Sequence, residues 1–354
     1  MQSPERFAAD LLRRGSRAHA VAVVDTLARS RPDLVTDGLP STFADPVDDT
    51  RSRLLTLAES LDVDRAELLA HQIGWYKVAL AHRGVADDYL VANLEAMRTS
   101  LRRELPNGCH DVVDRHLVHA LHRAQTAPVE VPSWLEGDAP LRVEARRFLL
   151  ALLENRRRDA IELVVATHAA GASVADVHDH LLSPVQREIG RMWLMAEIPI
   201  ADEHYASRVV ESCLDRLASL TPPTPRIGRC VLTCAVGGDL HGLGVRLVAE
   251  RFDMHGYDVW DLGADMPASD FEWMLQDRRV DLIALGATLV LHVSSARQAI
   301  AGLRRSLGAD CPPILVGGMP FTVVDDLHQV IGADAAAGDP ASAVARADVL
   351  LRGR

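Results

Sequence analysis

Aromatic residues are scarce, 4% of 354 positions, and no apolar run reaches the roughly 18–20 residues that a membrane helix needs. A membrane-spanning helix is therefore not expected. The N-terminus, MQSPERFAAD, is polar and lacks the apolar stretch of a secretory signal. Cysteine is sparse as well. Cys109, Cys213, Cys230, Cys234 and Cys311 are odd in number, scattered, and include no CxxC pair. That excludes a disulfide framework or a zinc ribbon and reads as reduced thiols of a cytoplasmic protein. Positive charge is in deficit: 38 basic against 49 acidic residues leave a net charge of −11. A duplex-DNA binder shows a basic footprint. The short runs Arg102-Arg103 and Arg156-Arg157-Arg158 read instead as solvated helix faces, so no direct DNA binding is expected.

What is present falls into three segments joined by proline-rich linkers. Residues 1–127 read as helices only, with apolar spacings of three and four from Ala66 and again from Tyr89. Pro40 and Pro46 break an early loop, and Trp75-Tyr76 read as core. Residues 128–140 form a linker. Residues 141–220 suit a four-helix bundle with helices over 141–153, 158–169, 173–197 and 201–219, the third kinked or restarted at Ser183-Pro184. Residues 221–227 form the second linker. From 228 to 354, short apolar runs alternate with helical periods. Strands are predicted at 230–236, 258–262, 281–285, 313–316 and 335–337, and helices near 242–254, 269–277, 292–306, 322–330 and 341–351. The fold class is thus α/β plus all-α, with a flavodoxin-like, doubly wound parallel sheet at the C-terminus. Such sheets bind ligands at the carboxyl ends of their strands.

The loop after the first of these strands reads Gly237-Gly238-Asp239-Leu240-His241-Gly242-Leu243-Gly244. It lacks the GxGxxG order, and its acidic residue discourages a bare pyrophosphate. A carboxylate two residues before a histidine can hold one ring nitrogen, fix the tautomer, and make the other nitrogen a better metal ligand. Gly242 and Gly244 remove side chains where a bulky group approaches. A tight turn with a helix-capping Asp and an incidental His reads the same residues without a ligand.

Asp239-x-His241-x-x-Gly244 resembles the DxHxxG signature of cobalamin-binding domains. The resemblance implies that His241 is the lower axial cobalt ligand, replacing the cofactor's own base, whose displaced tail enters a slot in the sheet. The family's second element is S-x-L near the end of the third strand. Here Gly286 stands at the Ser position, and Thr288 can supply the missing hydroxyl. The third element, a glycine pair after the fourth strand, is present as Gly317-Gly318.

Upstream, Trp193 is followed by nine residues and then Glu203-His204. Alone this reads as a core Trp and a surface pair. Beside a cobalamin domain it resembles the cap signature of light-sensing adenosylcobalamin regulators of the CarH type. That resemblance implies that Trp193 and Glu203 surround the adenosyl group and that His204 captures cobalt from above after light breaks the cobalt–carbon bond. The photocobilins, which lack a DNA-binding module, resemble the overall plan, and they imply a second chromophore, biliverdin or another bilin. Cys109-His110 gives only a two-residue match to bilin attachment. His116, His119 and His122 read as surface or interface residues before they read as a metal site.

A cobalamin isomerase needs a (β/α)8 barrel of about 250 residues, and residues 1–140 cannot hold one. The chain is thus expected to be no enzyme by itself. The first expectation is a light-sensing regulator that binds the small molecule cobalamin and switches contacts with a protein partner or a second copy. The alternative is a corrinoid methyl carrier working with separate methyltransferases.

Overall fold

A computed structural model describes residues 3–36, 45–86, 88–275 and 278–352. The chain forms two compact units, residues 1–127 together with 225–354, and residues 128–224. Among the described residues no helix is long and apolar enough to cross a membrane.

The first unit opens with helices α1 (Pro4–Arg14), α2 (Ser16–Ser30), α3 (Asp33–Thr36), α4 (Pro46–Asp62), α5 (Ala66–Ala81), α6 (Tyr89–Glu104) and α7 (His110–Thr126). Pro46 opens a helix: Asp45 caps α4 by accepting the Val47 N–H, and proline at N1 lacks only a donor that would be unused there. Pro40 lies outside the described residues. Leu12, Leu27, Leu54, Leu57, Leu94 and Leu117 are fully enclosed in one apolar cluster, with Tyr76 inside it and Trp75 against it. The enclosed Arg53 is satisfied by Asp49, one turn earlier, and by Asn93 Oδ1 (2.9 Å).

The sheet comprises β1 (Cys230–Ala235), β2 (Asp258–Asp261), β3 (Leu282–Gly286), β4 (Ile314–Gly317) and β5 (Ala335–Ala337), all parallel, in the order β2-β1-β3-β4-β5. This is the doubly wound order expected from the strand–helix alternation. Strand residues alternate between two cores, as the period-2 pleat requires. Val231, Leu282 and Leu315 face one core. Leu232, Cys234, Ile283, Leu285 and Val316 face the other. Helices α13 (Gly242–Met254) and α18 (Pro340–Leu351) cover the first core, and α14 (Ala268–Leu275) and α15 (Val293–Leu307) cover the second. Val63 and Leu68, at the α4–α5 corner, are buried in this second core. The register sets Ala235 beside Gly286 and Gly286 beside Gly317, so the three central strands end together.

Two expected helices differ. The helix expected over 322–330 is two short ones, Met319–Val323 and Leu327–Val330, because Val324 is extended (φ −130°, ψ 106°). Residues 276 and 277 of the helix expected over 269–277 lie outside the described residues.

The second unit contains α8 (Arg142–Leu153), α9 (Arg157–Ala169), α10 (Val174–Val177), α11 (Ser183–Leu194) and α12 (Ile200–Leu220). Gly171, at φ +111°, ends α9, and the Ala172 N–H returns to the Thr167 carbonyl, the bond of a left-handed helix stop. No restart occurs at Ser183. A wide helical turn, His178–Leu182, joins α10 to α11: the Ser183 N–H reaches back five residues to the His178 carbonyl, and the chain stays helical into Pro184, which has no N–H to donate.

Candidate functional site

β1 ends at the carboxyl edge of the sheet, and the chain turns sharply into α13. The Asp239 side chain is fully enclosed in that turn. Its Oδ1 accepts the His241 backbone N–H (3.0 Å) and stands 2.8 Å from His241 Nδ1. Its Oδ2 accepts the Thr288 N–H at 2.6 Å and lies 3.2 Å from His292 Nδ1. Burial alone pushes this carboxyl up. The hydrogen bonds from His241, His292 and Thr288 more than reverse that, so its pKa sits far below the usual carboxylate range. An ionised, fully enclosed acceptor thus holds one edge of the His241 ring, whose side chain is 56% exposed. Nδ1 is thus the nitrogen that the carboxylate holds. Leu240 is 76% exposed, and Leu291 is exposed as well, so two apolar side chains flank the loops beside this imidazole.

The glycines differ in their reasons. A Cβ at Gly244 would meet nothing within 4 Å, and one at Gly242 would only touch Ala264. At Gly286 it would strike the Val245 side chain at 2.5 Å. Gly317 is close to the Ala337 carbonyl, and Gly318, at φ +112°, would set a Cβ 2.1 Å from the Ala287 carbonyl oxygen. Thr288 joins the site by its backbone N–H. His292, 8% exposed, was not singled out by the sequence; its only signal is a histidine in an apolar run just past β3.

In the second unit, Trp193 lies in the last turn of α11, while Glu203 closes the first turn of α12 and His204 follows it, so the connecting turn brings them to one end of the bundle. Glu203 accepts the Ser207 hydroxyl (2.9 Å) and stands 2.7 Å from His204 Nδ1, and the His204 side chain is 73% exposed. The remaining candidates do not assemble. His116 is buried whereas His119 and His122 are exposed, and no cluster of three or more metal-ligating side chains occurs among the described residues. Cys109 is 2% exposed and burial raises its pKa, which disfavours the thiolate that attachment chemistry requires.

Comparison with known proteins agrees with this geometry. Residues 229–347 match the family described as B12 binding domain, and residues 144–218 match a second family of the same description. Dimethylamine corrinoid protein 1 of Methanosarcina acetivorans is 23% identical over 197 residues, 55% of this chain and 92% of that one. The HTH-type transcriptional repressor CarA of Myxococcus xanthus is 29% identical over 142 residues, 40% of this chain and 46% of that one. The solved structure of the Methanosarcina barkeri monomethylamine corrinoid protein superposes with a TM-score of 0.52 at 22% identity, over 60% of this chain and 100% of that one, a likeness of fold. These findings overturn the light-sensing reading drawn from Trp193 and Glu203-His204. Likeness to a corrinoid protein runs over more of this chain, and over nearly all of the relative, than likeness to the repressor does. Residues 144–218 and 229–347 are B12 binding domains, and the cofactor they indicate is a cobalamin.

Proposed function

We propose that this chain is a corrinoid methyl carrier that serves separate methyltransferases and is not itself the catalyst. The observation that carries the reading is the Asp239–His241 pair, an exposed imidazole tethered by an enclosed carboxylate at the carboxyl edge of a doubly wound sheet. The likeness to methylamine corrinoid proteins supports the methyl-carrying part.

The residues fit a cobalamin. His241 would hold the cobalt, and Asp239, 2.8 Å from its Nδ1, would fix its tautomer and ring orientation. Thr288 and His292 hold Asp239 in turn. The open space at Gly244 and the exposed Leu240 and Leu291 accommodate a large apolar disc. Gly286 and Gly317, paired at the strand ends, and Gly318 after them would lie beside the cofactor's tail. When bound, a corrinoid supplies a cobalt that accepts a methyl group from one partner and yields it to another.

The test is spectroscopic and made in darkness. The full chain loaded with methylcobalamin is expected to show axial imidazole coordination, and His241→Ala is expected to lose it. A wild-type and an H241A spectrum that coincide would remove His241 from the cobalt. Stopped-flow mixing of the loaded chain with a thiol-dependent corrinoid methyltransferase is expected to remove the methyl group without light. A methyl group that leaves only on illumination would end the carrier reading.

A further inference from the structure

Glu59 and Asp62, near the end of α4, are each 5% exposed. Buried carboxylates are costly unless paired, and these two are paired in two directions. Within the N-terminal helices, Arg13 donates to Glu59 Oε1 (3.0 Å) and to Asp62 Oδ2 (3.1 Å). Their other partners belong to α15, across the sheet's second core. Glu59 Oε2 accepts the Ser294 N–H at 2.9 Å and Oε1 accepts the Ser294 hydroxyl at 3.0 Å, while Asp62 pairs with Arg297.

Ser294 is the second residue of α15, and the first N–H groups of a helix have no partner within it. Glu59 therefore does for α15 what an N-cap side chain does locally, from 235 residues away in sequence. The residues just before Ser294 are those that hold Asp239. A single tight turn, Val290–His292, opens α15, and His292 and Thr288 both reach Asp239 Oδ2. Val290 and Val293 are fully buried in the same cluster as Val63 and Leu68, so the turn is gripped by apolar contact as well. Contacts thus run without a gap from α4, through residues 288–294, to Asp239 and the His241 ring.

The geometry points to the N-terminal helices as a positioning element for the cobalt-facing histidine, with Glu59 as the positioning residue acting through Ser294. This rests on His241 being the axial ligand. Without Glu59 the start of α15 loses its cap, the 288–294 turn gains freedom, and Asp239 holds the imidazole less tightly.

The full chain loaded with cob(II)alamin tests this, because nitrogen splitting in its electron paramagnetic resonance spectrum reads the attached imidazole. Glu59→Ala is expected to weaken that coordination about tenfold, the lower end for outer partners of metal-bound histidines, and Ser294→Ala, which loses the hydroxyl bond but keeps the backbone N–H on Glu59, to weaken it measurably but less. Glu59→Gln keeps an oxygen for Ser294 and is expected to recover most of it. Arg65→Ala cuts a different tie between the same helices and the sheet, the Arg65–Asp326 pair, and is expected to match wild type. Folded E59A and S294A proteins with wild-type splitting would overturn the inference. So would an R65A protein as impaired as E59A, since general loosening would then be the cause. If E59A does not fold, S294A decides. If H241A itself keeps wild-type splitting, the axial assignment has failed, an outcome distinct from intact assignment with insensitive E59A.

Discussion

Gly244 and Gly318 stand near the same sheet edge, and their neighbours set opposite expectations. Gly244 lies in the first turn of α13 with nothing within 4 Å of a Cβ. An alanine there is expected to raise helix stability by about 0.5–1 kcal/mol, yet to weaken methylcobalamin binding by intruding on the cofactor's space. Gly318 combines φ +112° with a carbonyl 2.1 Å from the Cβ position, so Gly318→Ala is expected to cost stability, on the order of 1–3 kcal/mol for the backbone strain alone. Thermal melts of the unliganded variants, paired with methylcobalamin titrations, separate the two. A G244A chain that binds as tightly as wild type would mean that the open space holds no ligand. Asp239 and His241 were legible because their contact spans two residues. His292 was not, since its approach to Asp239 exists only once the chain has folded back from β3. For Thr288, sequence reasoning offered a hydroxyl, whereas the structure uses the N–H that every residue except proline carries.

At the scale of elements, periodicity identified all five strands, because burying both sheet faces forces apolar runs of strand length. It was weaker where several short-range choices compete. Proline at 184 foretold a break in the third bundle helix, but a wide turn at 178–182 accommodates it while Ser183 stays helical. Helix α7 shows what spacing of three implies for its histidines. Each step turns about 300°, so His116, His119 and His122 drift around the helix. Only His116 enters the core, where its Nδ1 bonds the Val112 carbonyl at 2.9 Å. Burial lowers its pKa, mainly by disfavouring the charged ring. The unfolded ring titrates near about 6.5 and the folded one lower, so on acidification the unfolded chain takes up the proton first. Stability from this group is complete above about pH 6.5 and declines as pH falls toward the folded value. The urea midpoint of wild type is expected to drop more between about pH 7.5 and about pH 5.5 than that of His116→Gln. Equal slopes would place the acid sensitivity elsewhere, with His71, whose pKa is also lowered by burial, the first alternative.

For the whole molecule, the chain passes between its two compact units at residues 127–128 and 224–225. The union of residues 1–127 with the sheet was not legible. Val63 and Leu68 have ordinary helical spacing, and nothing near Glu59 or Asp62 announces partners about 235 residues away. That union has a measurable consequence. Cys109, in the N-terminal helices, and Cys234 and Cys311, in the sheet region, are buried in one unit, while Cys213 is buried in the other. Burial pushes the Cys234 and Cys213 thiols up to about 12, so alkylation of the native chain is slow and labelling reports unfolding. In a urea series with pulses of N-ethylmaleimide read by mass spectrometry, Cys109, Cys234 and Cys311 are expected to become reactive together, and Cys213 over its own range. Labelling of Cys109 well before Cys234 would mean that the N-terminal helices open by themselves. In that case Glu59 and the α4–α5 corner would be too weakly bound to hold the turn beneath Asp239, and the helices would be a neighbour of the cobalamin site without being part of its support.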